Sequence, residues 1–374
     1  LLVSYKYRLY PTNTQVRFLE GELREACSLY NAALEERIGA WKLCRKSISF
    51  FDQSAQLKTM RADGCLTMAN FRCSNEVLQR VDKAFKAFFA RCKRGDKPGF
   101  PRFRSFRRYD SLTYSQYGNG CKLLNNNRVR IQGAGEIKLK LHRPVEGRIK
   151  TVTIRRSAGG WYVYFAADRD PKILPESAEA IGIDVGLTSL ATLSDGTEIV
   201  NPRHFDRSAA ILRRRQRRMA RRKKTSKRRA QARKLVAKTH QKIQNQRSDF
   251  HHKVSRALVN RYGRIVVEKL NIKGLASGML AKSVNDAGWY SLFQKIAYKA
   301  EDAGRELIKV DSRHTSQTCL CGAHVPKTLA DRWHSCHACG LSAARDHVSA
   351  QVILSRAGDR PSGVNAEVVV SYVS

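Results

Sequence analysis

No stretch of the chain approaches the roughly 20 continuous apolar residues that a membrane-spanning helix needs, so a membrane protein is not expected. The apolar start, Leu1-Leu2-Val3, passes at once into the alternation Tyr5-Lys6-Tyr7-Arg8-Leu9. That period of two reads as a strand, so a signal peptide is not expected either, and a cytoplasmic location follows. Acid is scarce: 32 Asp and Glu stand against 70 Lys and Arg, a formal charge of +38. So large a cationic excess binds polyanions over much of a surface, and nucleic acid is the natural partner. In a reducing compartment the ten cysteines are expected to be mostly free thiols. A length of 374 residues can bury a real core and divide into two or three modules.

Against that scarcity, three acidic segments stand about eighty residues apart in the second half: Ile181-Gly-Ile-Asp184-Val-Gly186, Ile265-Val-Val-Glu268, and Arg345-Asp346 before an apolar helix pattern. Each carboxylate ends a β-branched run or starts a helix, where a fold can bring distant side chains to one point. Converging carboxylates hold divalent metal. Magnesium takes hard oxygen ligands, and two ions about 3.5–4 Å apart activate water on one side of a phosphodiester and stabilise the leaving oxygen on the other. Singly, Asp184 reads as a turn or cap residue and Glu268 as a strand-end charge. In order, however, the parts are a strand, a glycine turn, a second strand over 190–193, the turn Asp195-Gly196, a later buried strand and a last helix. That succession reads as an RNase H-like nuclease core.

In the first half, Val16, Leu19, Leu23, Cys27 and Tyr30 keep helical spacing from a start near Thr14. A second helix is expected from Ser74 as N-cap, with Val77, Val81, Phe85 and Phe88 on one stripe. Lys97 to Arg108 then mixes Phe100, Phe103 and Phe106 with arginines and opens a β-rich stretch to about Asp170. Its expected strands are 129–131, 137–141, 152–154 and 161–165, with Ala158-Gly159-Gly160 as a hairpin turn. The three phenylalanines either stack on bases beside phosphate contacts or pack the barrel. Leu212 to Arg233 is densely cationic, including Arg213, Arg214, Arg217 and Arg218. Because Val236, Ile243, Phe250 and Ala257 follow at seven-residue spacing, a helical arm lying across a duplex is preferred to disorder. Trp289, Leu292, Phe293, Ile296 and Ala300 mark another helix, followed by a strand over 307–310.

The cysteines fall into two groups. Cys27, Cys44, Cys65, Cys73, Cys92 and Cys121 are scattered and are expected to pack as small hydrophobes. Cys319, Cys321, Cys336 and Cys339 form two close pairs, each followed by glycine, which reads as a structural zinc site. The first pair is one residue short of the usual gap, leaving His314, His324 or His334 as substitute ligands and a lost site as the other alternative.

These features together resemble TnpB, the RNA-guided nucleases of bacterial insertion sequences and ancestor-like relatives of type V CRISPR effectors. Tyr5-Lys-Tyr-Arg-Leu-Tyr-Pro11 is similar to the family's opening strand, Ile181-Gly-Ile-Asp-Val-Gly-Leu187 to its first RuvC motif and Val266-Val-Glu-Lys-Leu-Asn271 to its second. Asp249-Phe-His-His-Lys253, Thr315-Ser-Gln-Thr-Cys319 and the placing of the cysteines also resemble family segments. The resemblance implies an α/β multidomain fold. Residues 1–12 and 96–175 would form a wedge-like β-barrel, 13–95 a helical recognition lobe, 176–311 and 341–357 an RNase H-like RuvC nuclease core, 312–340 an inserted zinc ribbon and 358–374 a flexible tail. It further implies Asp184, Glu268 and Asp346 as catalytic magnesium ligands, with Cys319, Cys321, Cys336 and Cys339 holding zinc. The implied partners are a guide RNA from the transposon end and a DNA target, double- and single-stranded, read by base pairing beside a short adjacent motif, with the protein a monomer on one RNA.

The sequence departs from the family where an Asp and an Asn flank the last catalytic Asp, since Ala344 and Val348 stand there, and in its short first cysteine pair. The expected activity is magnesium-dependent, RNA-guided DNA cleavage. A guide-directed repressor that binds without cutting is the alternative. No nucleophilic Tyr or Ser lies in a recognisable motif, which weakens a covalent transposase reading. A junction resolvase would leave the first half and the basic arm unexplained.

Overall fold

A computed structural model describes residues 1–328 and 330–358 and the backbone of Val369–Val370, and divides into two compact units, Leu1–Asp170 and Pro171–Ser374. The first unit opens with β1 (Leu2–Tyr10), whose alternation buries Tyr5, Tyr7 and Leu9. Thr12 and Gln15 then close a reciprocal capping box on α1 (Asn13–Cys44), which buries Leu19, Leu23, Tyr30 and Leu34. The next helix, α2 (Phe50–Ala62), lacks an apolar stripe, because its two buried residues are Leu57 and the polar Gln53. Gln53 is satisfied by Arg37 Nε, which donates to it at 2.8 Å. The helix α3 (Phe71–Lys93) starts earlier than expected: its N-cap is Asn70, which accepts from Cys73 N at 3.0 Å, while Ser74 is buried one turn inside.

The strands β2 (Ser111–Tyr114), β3 (Cys121–Leu124), β4 (Arg128–Ile131), β5 (Gly135–Lys140), β6 (Arg148–Ser157) and β7 (Gly160–Asp168) complete a seven-stranded sheet in the order β2-β6-β7-β1-β5-β4-β3. All its pairings are antiparallel. Among the described residues no ladder joins the edge strands β2 and β3, so the sheet is a half-barrel. Ala158-Gly159 forms the β6–β7 turn, with Gly160 at φ +130°. Phe106 packs against the core, with the guanidiniums of Arg24 and Arg156 within 5 Å of its ring centre; Phe100 makes edge contacts with Phe85 and Phe88, yet it and Phe103 both stay exposed. Cys27, Cys73 and Cys121 are buried as expected of small hydrophobes; Cys44, Cys65 and Cys92 are exposed and contradict that expectation.

The second unit contains β8 (Ala180–Asp184), β9 (Ser189–Leu193), β10 (Glu198–Val200), α4 (His204–Ala220), α5 (Lys227–Arg261), β11 (Arg264–Glu268), α6 (Ile272–Leu275), α7 (Ala281–Ala287), α8 (Trp289–Ala303), β12 (Glu306–Val310), β13 (Trp333–Ser335), β14 (Ser342–Ala344), α9 (Arg345–Ser355) and β15 (Val369–Val370). Its main sheet runs β12-β11-β8-β9-β10-β15. The antiparallel run β8, β9, β10, with β11 and β12 parallel to β8, is the RNase H-like arrangement. The cationic run is helical: α4 and α5 form a hairpin in which Arg229 Nη1 donates to the carbonyls of Met219 and Arg222, both at 2.9 Å. Leu212, Val236 and Ile243 are buried along the hairpin, and Arg213, Arg214, Arg217 and Arg218 are exposed. The tail expected from residue 358 lies, beyond Gly358 and the backbone of Val369–Val370, outside the described residues. Among the described residues no helix is long and apolar enough to cross a membrane.

Candidate active site

Strand register brings the first two carboxylates together. In the parallel pair β8 and β11, Ile183 is partnered with Val267, so Asp184 and Glu268 follow side by side at the strand ends, about 4.8 Å apart in backbone spacing. Period two places both on the face shared by Gly182 and Val266. Helix α9 covers that face, since a Cβ built on Gly182 would lie 2.1 Å from the carbonyl oxygen of Ala350 and 2.9 Å from Leu354 Cβ. Asp346, one turn before Ala350, stands in the first turn of that helix. The helix start is tied to the sheet by His347 Nε2, 3.2 Å from the carbonyl oxygen of Ser194, a residue that also pairs with the Gly182 backbone. Replacing Gly182 by alanine is therefore expected to push α9 off the sheet. The cost should be about 1–3 kcal/mol of stability, read as a lowered midpoint in thermal unfolding.

The electrostatics are those of an anionic centre short of positive charge. Burial, then the charges of Glu268 and Asp346, push the Asp184 carboxyl well above the usual range, offset only partly by Arg345. Glu268 is also raised by burial, against the hydrogen bond donated by Thr315 and the charge of Arg356. Arg345 places Nε and Nη2 each 2.9 Å from Asp346 Oδ1. Thr315 and Arg345 orient the site, yet neither was singled out for that role from sequence; each sits inside a segment read for other reasons, Thr315-Ser-Gln-Thr-Cys319 and Arg345-Asp346. Ala344 is the N-cap of α9 and makes no side-chain cap bond, while Val348 is buried. Hard oxygen donors whose negative charge is only partly offset fit magnesium in kind.

The four cysteines are gathered more tightly. Among the described residues, they are the group of potential ligands whose donor atoms all lie within 4.8 Å of one another. Cys319 and Cys339 sulfurs are 3.6 Å apart and those of Cys321 and Cys336 are 3.7 Å apart. A tetrahedral ion with Zn–S of about 2.3 Å requires sulfur separations of about 3.8 Å, so the donor set fits zinc. The short first pair reaches because Gly322, at φ +87°, turns the chain and Cys319 N bonds the carbonyl of Ala323 at 2.9 Å. Cys336 N makes the matching bond to Leu341 at 2.9 Å. Among the described residues no histidine joins the four thiols: His314 meets Gln317, His324 lies against the His314 ring, and His334 is engaged by Lys327 Nζ. Backbone N–H groups of Cys339 and Ala338 hold the Cys336 thiol down at about 7, whereas burial pushes Cys319 up to about 12.

An RNase H-like sheet that delivers carboxylates from two strand ends and a final helix, with a four-cysteine cluster between β12 and that helix, defines a RuvC-type core. A family model, OrfB_IS605, described as "Probable transposase" matches residues 164–278, spanning Asp184 and Glu268. One described as "Cas12f1-like, TNB domain" matches 289–353, spanning the cysteines and Asp346. A "Helix-turn-helix domain" model matches 1–46, where the structure has β1 and the single helix α1. A Streptomyces pristinaespiralis protein named "Putative RNA-guided DNA endonuclease" is 32% identical over 373 residues, covering 95% of this chain and 91% of that one. "Putative RNA-guided DNA endonuclease InsQ" of Escherichia coli (strain K12) is 28% identical over 381 residues, covering 95% and 92%. Among solved structures, a mini-RNA-guided endonuclease, CRISPR-Cas phi3, aligns with TM-score 0.47 at 10% identity over 97% of this chain and 93% of that one. The protein belongs to the TnpB-type RNA-guided nuclease family.

Proposed function

We propose that the protein is an RNA-guided DNA endonuclease of a bacterial insertion sequence, acting in the cytoplasm on DNA beside a short motif, with a guide RNA from the transposon end. The observation that carries this reading is positional: Asp184 and Glu268 end neighbouring parallel strands, and Asp346 opens the helix that covers the face they share. These three would hold magnesium, which when bound supplies Lewis acidity toward water and the leaving oxygen of a phosphodiester. Thr315 fixes one oxygen of Glu268 by donating to it, and Arg345 fixes Oδ1 of Asp346, leaving Oδ2 free of that clamp. Cys319, Cys321, Cys336 and Cys339 would hold zinc, whose role is structural because four thiols close the coordination sphere. The half-barrel of residues 1–12 and 96–175 is assigned as the wedge-like domain, 13–95 as the recognition lobe, 176–311 with 341–357 as the nuclease core and 312–340 as the zinc ribbon.

The test begins with sequencing the RNA that copurifies with the full chain. With its guide portion rewritten, the wild-type complex in magnesium should cut a plasmid bearing the new target and leave an unmatched one whole. Target binding without cutting, across magnesium and manganese concentrations, would overturn the nuclease reading in favour of a guide-directed repressor.

A further inference from the structure

The first turn of α9 carries Asp346 but has little of its own to fix it in rotation. Ala344 gives no side-chain cap, and Val348 is buried and has no polar side-chain atom. Further along, the missing side chain of Gly182 lets the helix settle on β8 at Ala350 and Leu354, which sets how close the two lie. Close contact on a glycine does not stop a helix turning about its own axis. A side-chain tip stands about 5–6 Å from that axis, so a turn of about 10° carries it sideways by about 1 Å. Metal ligands need holding to within about 0.5 Å of their working geometry.

His347 provides the missing constraint. A carbonyl oxygen can only accept, so His347 Nε2 carries a proton and donates to the Ser194 carbonyl at 3.2 Å. Ser194 is buried just past β9 and holds both backbone groups of Gly182: its N–H donates to the Gly182 carbonyl at 2.9 Å, and its hydroxyl oxygen accepts from Gly182 N at 3.0 Å. Gly182 stands two residues before Asp184 on β8. The residue next to Asp346 is thus joined, through Ser194, to the strand that delivers Asp184.

We propose that His347 is a positioning residue for the magnesium site: its bond to Ser194 fixes the rotation of α9, and with it the aim of Asp346 at Asp184 and Glu268. This role rests on the nuclease reading above and adds to it a side chain that touches neither ion nor substrate. Groups that orient metal ligands from behind are worth about 10–100-fold in metal affinity or activity. A glutamine can place its amide nitrogen near the position of Nε2 and donate the same bond, whereas an alanine cannot.

The experiment uses the full chain with its copurifying RNA and compares His347→Ala, His347→Gln and, as a packing control, Ile353→Ala about two turns further along α9. Cleavage is followed across magnesium concentrations, and the thermal midpoint of the RNA-free protein is measured with and without magnesium. In His347→Ala the magnesium concentration for half-maximal cleavage should rise about tenfold, with a smaller fall in the rate at saturation. The rise in midpoint that magnesium gives wild type should shrink in the same variant, and His347→Gln should restore both readouts toward wild type. Ile353 is buried with Val266 and Val310, so truncating it should lower the metal-free midpoint at least as far while leaving the half-maximal concentration in place. Equal magnesium dependence in His347→Ala and wild type, or the same shift in Ile353→Ala, overturns the role, because loosened packing would then be the whole effect. A wild-type complex that never cuts removes the nuclease reading and leaves the midpoints to decide the role of His347. A wild-type midpoint that magnesium does not move overturns that role too.

Discussion

Changing Asp184 to alanine should abolish cleavage, by about a thousandfold or more, which corresponds to roughly 4 kcal/mol of lost transition-state stabilisation. Guide-directed binding of the same DNA target should remain near wild type, because base pairing to the guide does not use the carboxylate. The residue ends a central strand beside Glu268 and under the first turn of α9, so its loss removes one wall of the anionic site. A second readout separates this from simple damage. The negative charge of Asp184 is opposed by burial and by its two acidic neighbours, so Asp184→Asn should raise the thermal midpoint of the metal-free protein while cutting activity. A buried residue serving only the core would show both quantities falling together. Cleavage within about tenfold of wild type would remove Asp184 from the chemistry, since loss of a true metal ligand costs far more.

The central sheet and its carboxylates were legible because each lies where a period changes: Asp184 and Glu268 close β-branched runs, and Asp346 opens an apolar helix. The helix α2 was not, since Gln53 occupies a core position and pairs with Arg37 instead of repeating an apolar stripe. Strand β3 was not either, since Cys121 is buried while Leu123 and Leu124 are equally half-buried, so its residues do not alternate. The start of α3 was misread at Ser74 because Ser and Asn both cap helices. Asn70 takes the position through tertiary partners, donating from Nδ2 to Gln132 at 2.8 Å while accepting from Cys73. Thr315 and Arg345 escaped for a related reason. A hydroxyl forty-seven positions from Glu268 in sequence acquires its role only when the fold closes. Exposure of Cys44, Cys65 and Cys92 is likewise a tertiary property; the cysteine pairs were readable because spacing alone decides which thiols can meet.

That spacing leads to the other large effect. Changing Cys336 to alanine should take zinc from about one equivalent per chain toward none and should also suppress cleavage, although the four thiols form a group of their own with no carboxylate in it. The route runs through both arms of the ribbon. On one side Thr315, four residues before Cys319, holds Glu268; on the other the backbone of Arg345 bonds the carbonyl of Arg332 at 3.0 Å and its Nη1 that of Asp331 at 2.8 Å, next to Asp346. Loosening the cluster therefore releases the supports of two carboxylates at once. Limited proteolysis should show the segment between Asp311 and Arg345 cut faster in Cys336→Ala, and equally in wild-type protein stripped by a strong chelator. Cys44→Ala, at an exposed position outside the cluster, should change neither metal content nor protection. Wild-type protein that contains no zinc by elemental analysis yet resists proteolysis in that segment would show that the four thiols close the ribbon without an ion, because a structural zinc site is held folded by the metal it binds.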